Sequence, residues 1–262
     1  MKPDVIIFSN QKGGVGKTTL TRELGIYLAG RGRLVLLIDC DPQGNLTKSL
    51  LEDPGSGFYE ALEGGALNFK NINENLELLS GDVRLASLEK SLIGEIDAYL
   101  KLKELLTSEH FKKYDLILLD TPPSLGVLTV NALTAADYII IPMRPALYAL
   151  QGTNDLMSAV AKVKKTLNPE LKLLGVIING YESIPVITQE LKKEIEDNFK
   201  DMVFGTVLSK SIKLEEAIAE QKGVTQLRKM DRSRSCEEVS RIGAELLVRL
   251  GRAGGSLWPV KD

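Results

Sequence analysis

Two lysines lie five residues apart in a glycine-rich stretch near the start of the chain. Residues 9–20 read SNQKGGVGKTTL, and residues 16–18 (GKT) match the end of the phosphate-binding pattern G-x-x-x-x-G-K-[ST]. The first glycine of that pattern is replaced by Gln11, and the second lysine, Lys12, follows it. Backbone N–H groups of such a loop, with the helix N-terminus behind it, bind an anion. The stretch therefore predicts a triphosphate site with an additional lysine.

The residue types inside this loop each suit a polyphosphate. Gly13, Gly14 and Gly16 let the backbone approach the phosphates without obstruction by side chains. Lys17 is predicted to reach the β- and γ-phosphates, and the hydroxyl of Thr18 to bind magnesium. A glycine-rich turn with incidental lysines is the alternative, but the apolar run before the loop and the helical pattern after it favour phosphate binding.

Two acidic segments follow, each at the end of an apolar run. In residues 116–124, LILLDTPPS, four apolar residues precede Asp120, which is typical of an aspartate that holds magnesium through water. In residues 36–47, LLIDCDPQGNLT, Asp39 and Asp41 are alternate residues of an extended segment, so both carboxylates can face one side. We expect Asp39 to lie near the metal and Asp41 to orient or deprotonate the attacking water. The alternative is that this segment is a polar turn.

Lys12 is predicted to point outward from the loop. The loop already surrounds its own phosphates, so a second lysine at its entrance adds little to the work of Lys17. Directed outward, it could reach a triphosphate held by a second subunit, as an arginine finger does. The alternative is a solvated lysine at the edge of a loop.

The elements that must position these residues alternate between strands and helices. Short runs that are apolar on both faces predict strands of a parallel sheet covered by helices on both sides; they are residues 4–9, 34–39, 76–80, 115–120, 138–142 and 172–179. Amphipathic patterns predict helices at residues 17–30, 96–108, 149–166, 185–199 and 234–250. The alternation predicts an α/β fold with a doubly wound, mostly parallel sheet flanked by helices. We expect one domain over residues 1–251 and a loose tail over 252–262.

Composition limits the partners and the cellular location. The chain has 262 residues, a formal net charge of −2 and a pI near 5.7, so a nucleic acid would have to be met by a local basic patch. Cys40 and Cys236 have no metal-ligand spacing. We find neither a signal-peptide pattern nor an apolar run of 18 residues, which predicts a cytoplasmic protein.

Taken together, the motifs resemble those of one family. The segment KGGVGKTT (12–19) is similar to the deviant Walker A motif of the ParA/MinD group of P-loop ATPases. Two further segments are similar to those of its ParA branch in particular: DCDPQGN (39–45) and DTPPSLGVLTVNALTAADYIIIP (120–142). The resemblance continues through residues 146–152 and 171–179 and covers nearly the whole chain. Because the chain starts almost at the first predicted strand, it resembles the small, Soj-like type without an N-terminal DNA-binding extension.

The resemblance implies an ATPase that needs ATP and Mg²⁺ and forms a homodimer around two sandwiched ATP molecules. In such a dimer the lysine matching Lys12 crosses to the partner's nucleotide. The implied catalytic residues are Lys12, Lys17 and Asp41, and the implied metal-binding residues are Thr18, Asp39 and Asp120. The implied nucleotide-binding residues are Lys12, Gly13, Gly14, Val15, Gly16, Lys17, Thr18, Thr19, Ser209 and Ser211.

The ParA branch also implies partners. Its members partition plasmids or chromosomes, bind DNA nonspecifically in the ATP form, associate with the nucleoid, and are stimulated by a centromere-binding ParB-type protein. Lys210 and Lys213 keep the charge of two family arginines and are the implied DNA-binding residues. Ile184 replaces an arginine often associated with DNA, and Ser209 replaces a proline near the adenine.

The basic patch itself is modest. Residues 205–236 hold seven basic and four acidic residues without interleaved aromatic side chains, which suits phosphate contacts rather than base readout. An ordinary surface of mixed charge is the alternative for this segment.

A membrane-surface positioning ATPase like MinD is the alternative function. That function would need a C-terminal amphipathic helix with a basic polar face. The predicted helix at 234–250 carries acidic residues among its polar ones, which favours a helix packed on the sheet and no membrane partner. A nucleotide-dependent electron donor like the nitrogenase iron protein is excluded, because no cysteine lies between residues 41 and 235.

Overall fold

A computed structural model describes residues 2–52, 55, 57–147, 149–184, 186–227 and 233–252. Across these residues, eight strands form one sheet in the order β3-β4-β2-β5-β1-β6-β7-β8. The strands are β1 (Asp4–Phe8), β2 (Val35–Asp39), β3 (Lys70–Asn73), β4 (Leu76–Leu79), β5 (Leu116–Asp120), β6 (Tyr138–Met143), β7 (Lys172–Tyr181) and β8 (Leu208–Ser209). All neighbouring pairs are parallel except β3 with β4. The predicted mostly parallel sheet is confirmed.

Helices cover both faces of this sheet. They are α1 (Lys17–Gly30), α2 (Asn45–Lys48), α3 (Phe58–Leu62), α4 (Arg84–Ser91), α5 (Lys101–Leu105), α6 (Val127–Ala135), α7 (Ala149–Thr166), α8 (Val186–Phe199), α9 (Ile212–Ala219) and α10 (Arg234–Arg252). Alternate strand residues point to opposite faces, so Ile7 and Leu119 join one apolar core with α6 and α7. Ile6 and Leu118 join the other core, with α1 and α10. Burial on both faces explains why the strands are apolar throughout.

The carboxyl ends of the parallel strands meet at one edge of the sheet. β1 continues into the glycine-rich loop, which leads directly into α1. Asp39 and Asp120, the last residues of β2 and β5, are register partners on adjacent strands. Open α/β sheets bind their ligands at this edge, so the topology collects the predicted site residues there.

One helix prediction is wrong in its extent. The pattern at residues 96–108 predicts a continuous helix, but only Lys101–Leu105 is helical. The side chain of Asn131 lies between the two backbone groups that a longer helix would pair: its Nδ2 donates to the carbonyl of Ala98 at 2.5 Å, and its Oδ1 accepts from the N–H of Leu102 at 3.2 Å. Because Asn131 occupies both groups, the helical ladder cannot extend toward residue 96.

The C-terminal helix packs on the sheet, as its sequence predicts. Val239, Ile242, Leu246 and Leu250 of α10 are at most 1% exposed and belong to the same core as α1. Within the described part of the chain, no helix combines the length and the apolar character needed to cross a membrane. Residues 253–262, most of the predicted tail, lie outside the described residues.

Candidate functional site

The glycine-rich loop is held in place from β7. Gly16 has a left-handed backbone, with φ of +94°, and a Cβ there would lie 1.9 Å from Nδ2 of Asn179. That amide donates to the carbonyl of Val15 at 2.8 Å, so it fixes the loop directly. The glycine is therefore required both by its φ and by the close approach of Asn179. Sequence reasoning missed Asn179, although a polar residue at the end of the apolar run LLGVIIN was a usable signal.

Lys17 lies inside the loop. Its side chain is buried, and Nζ donates to the carbonyls of Asn10 at 3.1 Å and of Lys12 at 3.4 Å. Burial lowers the pKa of the Lys17 ammonium, and the charges of Asp120 and Asp41 oppose that shift. A buried ammonium within a glycine-rich loop that leads into a helix N-terminus is suited to a phosphate oxygen.

Thr18 and Asp120 meet beside the loop and form a candidate cation site. The hydroxyl of Thr18 donates to Oδ2 of Asp120 at 2.7 Å, while Oδ1 of Asp120 is buried and has no hydrogen-bond partner. Burial first, and then the neighbouring charge of Asp39, raises the pKa of Asp120 well above its ordinary value. A buried carboxyl oxygen without a donor, next to a hydroxyl, fits Mg²⁺, which takes few protein oxygens and completes its shell with water and phosphate. Among the described residues, no group of three or more His, Cys, Asp or Glu side chains could hold a metal ion.

Asp39 faces the protein rather than this cation site. Its Oδ2 accepts from the backbone N–H and the hydroxyl of Thr47 at 2.9 and 2.7 Å, and its Oδ1 accepts from the N–H of Asp41 at 3.2 Å. Burial raises the pKa of Asp39 to about 6, and the hydrogen bonds from Thr47 and Asp41 act against that increase. Asp39 thus fixes α2 and the start of the Asp41 loop, and its role near the metal remains a prediction.

Asp41 lies in the loop after β2 and is close to the other charged groups of the site. Only 8% of the residue is exposed, and its Oδ1 accepts from the N–H of Gln43 at 2.9 Å. Its charge acts on both Lys17 and Asp120. A carboxylate close to Lys17 and Asp120 has the chemistry to orient an attacking water, and this role of Asp41 stays a prediction.

Lys12 is exposed, and its side chain reaches the segment that follows β6. Its side chain is exposed and Nζ donates to the carbonyl of Leu147 at 3.3 Å, whereas its backbone N–H is fixed by Oδ1 of Asn10 at 3.0 Å. The predicted outward direction of Lys12 agrees with this geometry, while its action on a second subunit stays a prediction.

The serines predicted near the adenine both have structural partners. Ser209, at the end of β8, donates hydrogen bonds from its N–H and its hydroxyl to the carboxylate of Glu238, at 2.8 and 2.7 Å. Ser211 caps α9 by accepting from the N–H of Lys213 at 3.2 Å. Both line a cavity of about 510 Å³ at the carboxyl edge of the sheet, so they border a space that a base could enter. Their contact with the nucleotide is untested.

The predicted DNA-binding lysines are paired with acidic side chains. Lys210 lies 3.1 Å from Glu182, and Lys213 lies 2.8 Å from Glu216. Lys222 and Arg234 are likewise paired with glutamates. Arg228, Lys229 and Arg232, the other basic residues of this segment, lie outside the described residues. Ile184 is 90% exposed, so this part of the surface presents an apolar side chain beside its basic ones.

Known proteins are similar to this chain in both sequence and fold. A sequence family described as an AAA domain matches residues 3–173. The chain is 36% identical, over 95% of its length, to the chromosome-partitioning ATPase Soj of Thermus thermophilus, of which it covers 97%. It is 35% identical, over 94% of its length, to the chromosome partitioning protein ParA of Myxococcus xanthus, of which it covers 88%. The chain belongs to the ParA family.

Two solved structures extend this ParA-family comparison to the fold. Cobyrinic acid a,c-diamide synthase from Mycobacterium smegmatis, with a bound ATP analogue and magnesium, superimposes with a TM-score of 0.81 at 30% identity, covering 96% of this chain and 97% of that one. A plasmid partition protein from Borrelia burgdorferi gives a TM-score of 0.75 at 26% identity, covering 95% of this chain and 100% of that one. The ParA-family fold described above is therefore shared with experimentally determined proteins.

Proposed function

We propose that this chain is a Mg²⁺-dependent ATPase of DNA partitioning, which converts ATP and water to ADP and phosphate. The observation that carries the proposal is the pairing of Thr18 with Asp120 beside the phosphate loop, which leaves the other carboxyl oxygen of Asp120 buried and without a hydrogen-bond partner. Relatives named for chromosome partitioning, and a structural neighbour with an ATP analogue and magnesium, support the same function.

The proposed chemistry is mostly positioning and charge stabilisation, as phosphoryl transfer requires. Backbone N–H groups of residues 13–19 hold the phosphates, and Lys17 leaves the carbonyls of Asn10 and Lys12 to contact the phosphate oxygens. Thr18 and Asp120 would hold Mg²⁺, which neutralises phosphate charge. Asp41 orients the attacking water and accepts its proton. The water oxygen bonds to the γ-phosphorus while the bond from that phosphorus to the β–γ bridging oxygen breaks, so the products are ADP and phosphate.

The exposure of Lys12 supports dimerisation. An exposed lysine at the entrance of the loop is free to neutralise phosphate charge on a second molecule that docks against this face. We therefore propose an ATP-dependent homodimer in which each Lys12 contacts the partner's triphosphate. Nucleotide occupancy then controls the assembly, because without triphosphates the two facing loops repel each other.

In this proposal the ATP dimer binds DNA without sequence preference through Lys210 and Lys213, and a ParB-type centromere-binding protein stimulates hydrolysis. The protein is cytoplasmic and associates with the nucleoid in its ATP form. Burial of the apolar side of α10 gives no support to the membrane-surface alternative.

Removal of magnesium tests the ATPase proposal. We expect steady phosphate release from ATP in Mg²⁺, loss of that activity in EDTA, and its recovery when Mg²⁺ is restored. Thr18 and Asp120 leave most of the cation's ligands to ATP and water, so a chelator should remove the cation reversibly. Thr18→Ala should lower activity at least about 100-fold, since it removes a ligand needed for positioning. Thr166→Ala, which removes an exposed hydroxyl bonded within α7, is the matched control. Equal turnover with and without EDTA would refute the Mg²⁺ requirement.

Salt dependence tests the DNA proposal. In gel shifts or fluorescence anisotropy with unrelated duplexes, binding should require ATP and weaken steeply with salt. The Lys210→Ala, Lys213→Ala double variant should flatten the plot of log K against log salt by about 0.9 per lost phosphate contact. Lys112→Ala is the matched control, because Lys112 is also exposed and paired with a glutamate three residues away, Glu109. Binding that ignores both nucleotide and salt contradicts the proposal.

A further inference from the structure

A second cation lies beside Lys12 on the outer side of the phosphate loop. A cavity of about 360 Å³ separates residues 12–15 of the loop from the segment that follows β6 and the end of β7. Arg144, the first residue after β6, lines this cavity together with Lys12 and Glu182. Because Nζ of Lys12 contacts the carbonyl of Leu147, the lysine also leans toward the segment that carries Arg144.

The contacts of Arg144 leave its guanidinium available to a ligand. Its ion pair with Glu182 is long, at 3.9 Å, and the same Glu182 oxygen lies closer to Lys210, at 3.1 Å. The Arg144 side chain is 45% exposed. Gly180 gives it room: the backbone there has φ of +66°, and a Cβ would lie 3.3 Å from Nε of Arg144. The guanidinium is thus placed at the cavity without being enclosed by strong partners.

The charges around this cavity favour an anion. Lys12 and Arg144 contribute two positive charges to its lining and Glu182 one negative charge, next to a loop whose glycines expose backbone N–H groups. Arginine binds phosphate through two parallel N–H···O bonds, which a lysine cannot do. Lys17, by contrast, is buried on the inner side of the loop, so the two sides carry separate cations.

We propose that Arg144 is a further phosphate-binding residue that acts with Lys12 on the triphosphate held by a second copy of this chain. The inference rests on the proposed ATP-dependent dimer and extends it by one residue per protomer. In the dimer, Arg144 exchanges its long contact with Glu182 for the phosphate oxygens of the partner's ATP. Each nucleotide-binding site is then complete only when the partner supplies both Lys12 and Arg144.

Separate measurements of nucleotide binding and dimerisation test the inference. Arg144→Gln is expected to weaken the ATP-dependent dimer about 10- to 100-fold in sedimentation velocity, the effect of losing charged hydrogen bonds. Binding of a fluorescent ATP analogue to the monomer, at concentrations below dimerisation, should stay unchanged. Arg241→Gln is the matched control, since Arg241 is exposed and also has a 3.9 Å ion pair, with Glu237. Weaker monomer binding, or a dimer as stable as the wild type, would overturn the inference.

Mixing two impaired variants tests the action across the interface. Arg144→Gln and Asp41→Ala proteins are combined before ATP is added, and phosphate release is measured. The protein concentration is set high enough to saturate dimers of the weakened Arg144→Gln variant as well. If Arg144 acts on the partner's nucleotide, the mixture should then recover about a quarter of the wild-type rate, because random pairing makes about half of the dimers mixed and each mixed dimer has one complete site. No recovery means that Arg144 acts on its own nucleotide, which overturns the inference. A wild-type protein that neither hydrolyses ATP nor dimerises refutes the proposed function itself.

Discussion

Replacing Asp41 by alanine is expected to lower ATP turnover at least about 100-fold, the contribution of a positioned general base, while ATP still binds and the dimer persists. The phosphates and the cation are held by other groups, namely the loop backbone, Lys17, Thr18 and Asp120, and none of their described hydrogen bonds involves the Asp41 side chain. What is lost is the carboxylate that orients water. Phosphate release gives the turnover, and light scattering after size exclusion in ATP gives the dimer.

The Asp41→Asn variant separates chemistry from folding in this test. Asparagine retains an oxygen that can accept from the N–H of Gln43, the hydrogen bond that shapes this loop, but it carries no charge. We expect it to be as inactive as the alanine variant and as stable as the wild type. Asp82→Asn is the control, because Asp82 also follows a strand end but is paired with Arg84 at 2.6 Å. Near-normal turnover of Asp41→Asn, or a monomeric alanine variant that still hydrolyses ATP, would refute the assigned role.

Features that depend on neighbouring residues in the chain are predicted from sequence. The glycine-rich loop, its strand and its helix are contiguous, so their pattern in residues 4–30 indicates all three. Asp39 and Asp120 end apolar strands of a parallel sheet, and parallel strands bring their carboxyl ends to one edge. The pairing of these two residues in register confirms that argument.

Features that depend on contacts between residues far apart in the chain are not predicted from the sequence. Asn179 fixes the loop from 164 residues away, through a strand order that the pattern alone does not specify. The helix predicted at 96–108 is interrupted by Asn131, whose amide competes for backbone groups on another element. Ser209 is held by Glu238 on α10. A serine in the sequence indicates neither this partner nor the burial of the serine itself. In the helix the tertiary contact overrides a local preference, and in the other two cases the partner lies far away in the sequence.

Strands β3 and β8 show a related limit. They have four and two residues, and β3 pairs antiparallel at the sheet edge. β3 reads KNIN, with a single apolar residue, and β8 has only two residues, so neither shows an alternating or continuous apolar pattern. They are defined by the neighbouring strand that they pair with, which the local sequence does not reveal.

The second large effect is expected from Lys12→Ala, which should abolish ATP-dependent dimerisation while the monomer still binds ATP. Lys17, the loop backbone and the Thr18–Asp120 pair all remain, because Lys12 contributes only an exposed ammonium on the carbonyl of Leu147. Turnover should fall about 1,000-fold, the lower range for a cation supplied in trans to phosphoryl transfer. Sedimentation velocity with and without ATP gives the assembly, and a fluorescent ATP analogue gives the binding.

Lys103→Ala is the matched control that shows whether this result is specific to position 12. Lys103 is also exposed, and its ammonium also donates to a leucine carbonyl at 3.3 Å, that of Leu167, far from the carboxyl edge of the sheet. The two substitutions remove the same charge and the same kind of contact, so they should cost similar stability. Only the loss at Lys12 removes a cation from the face where two phosphate loops would meet. If both variants dimerise normally in ATP, the extra lysine is a solvated side chain, and the dimer must be held together by other contacts.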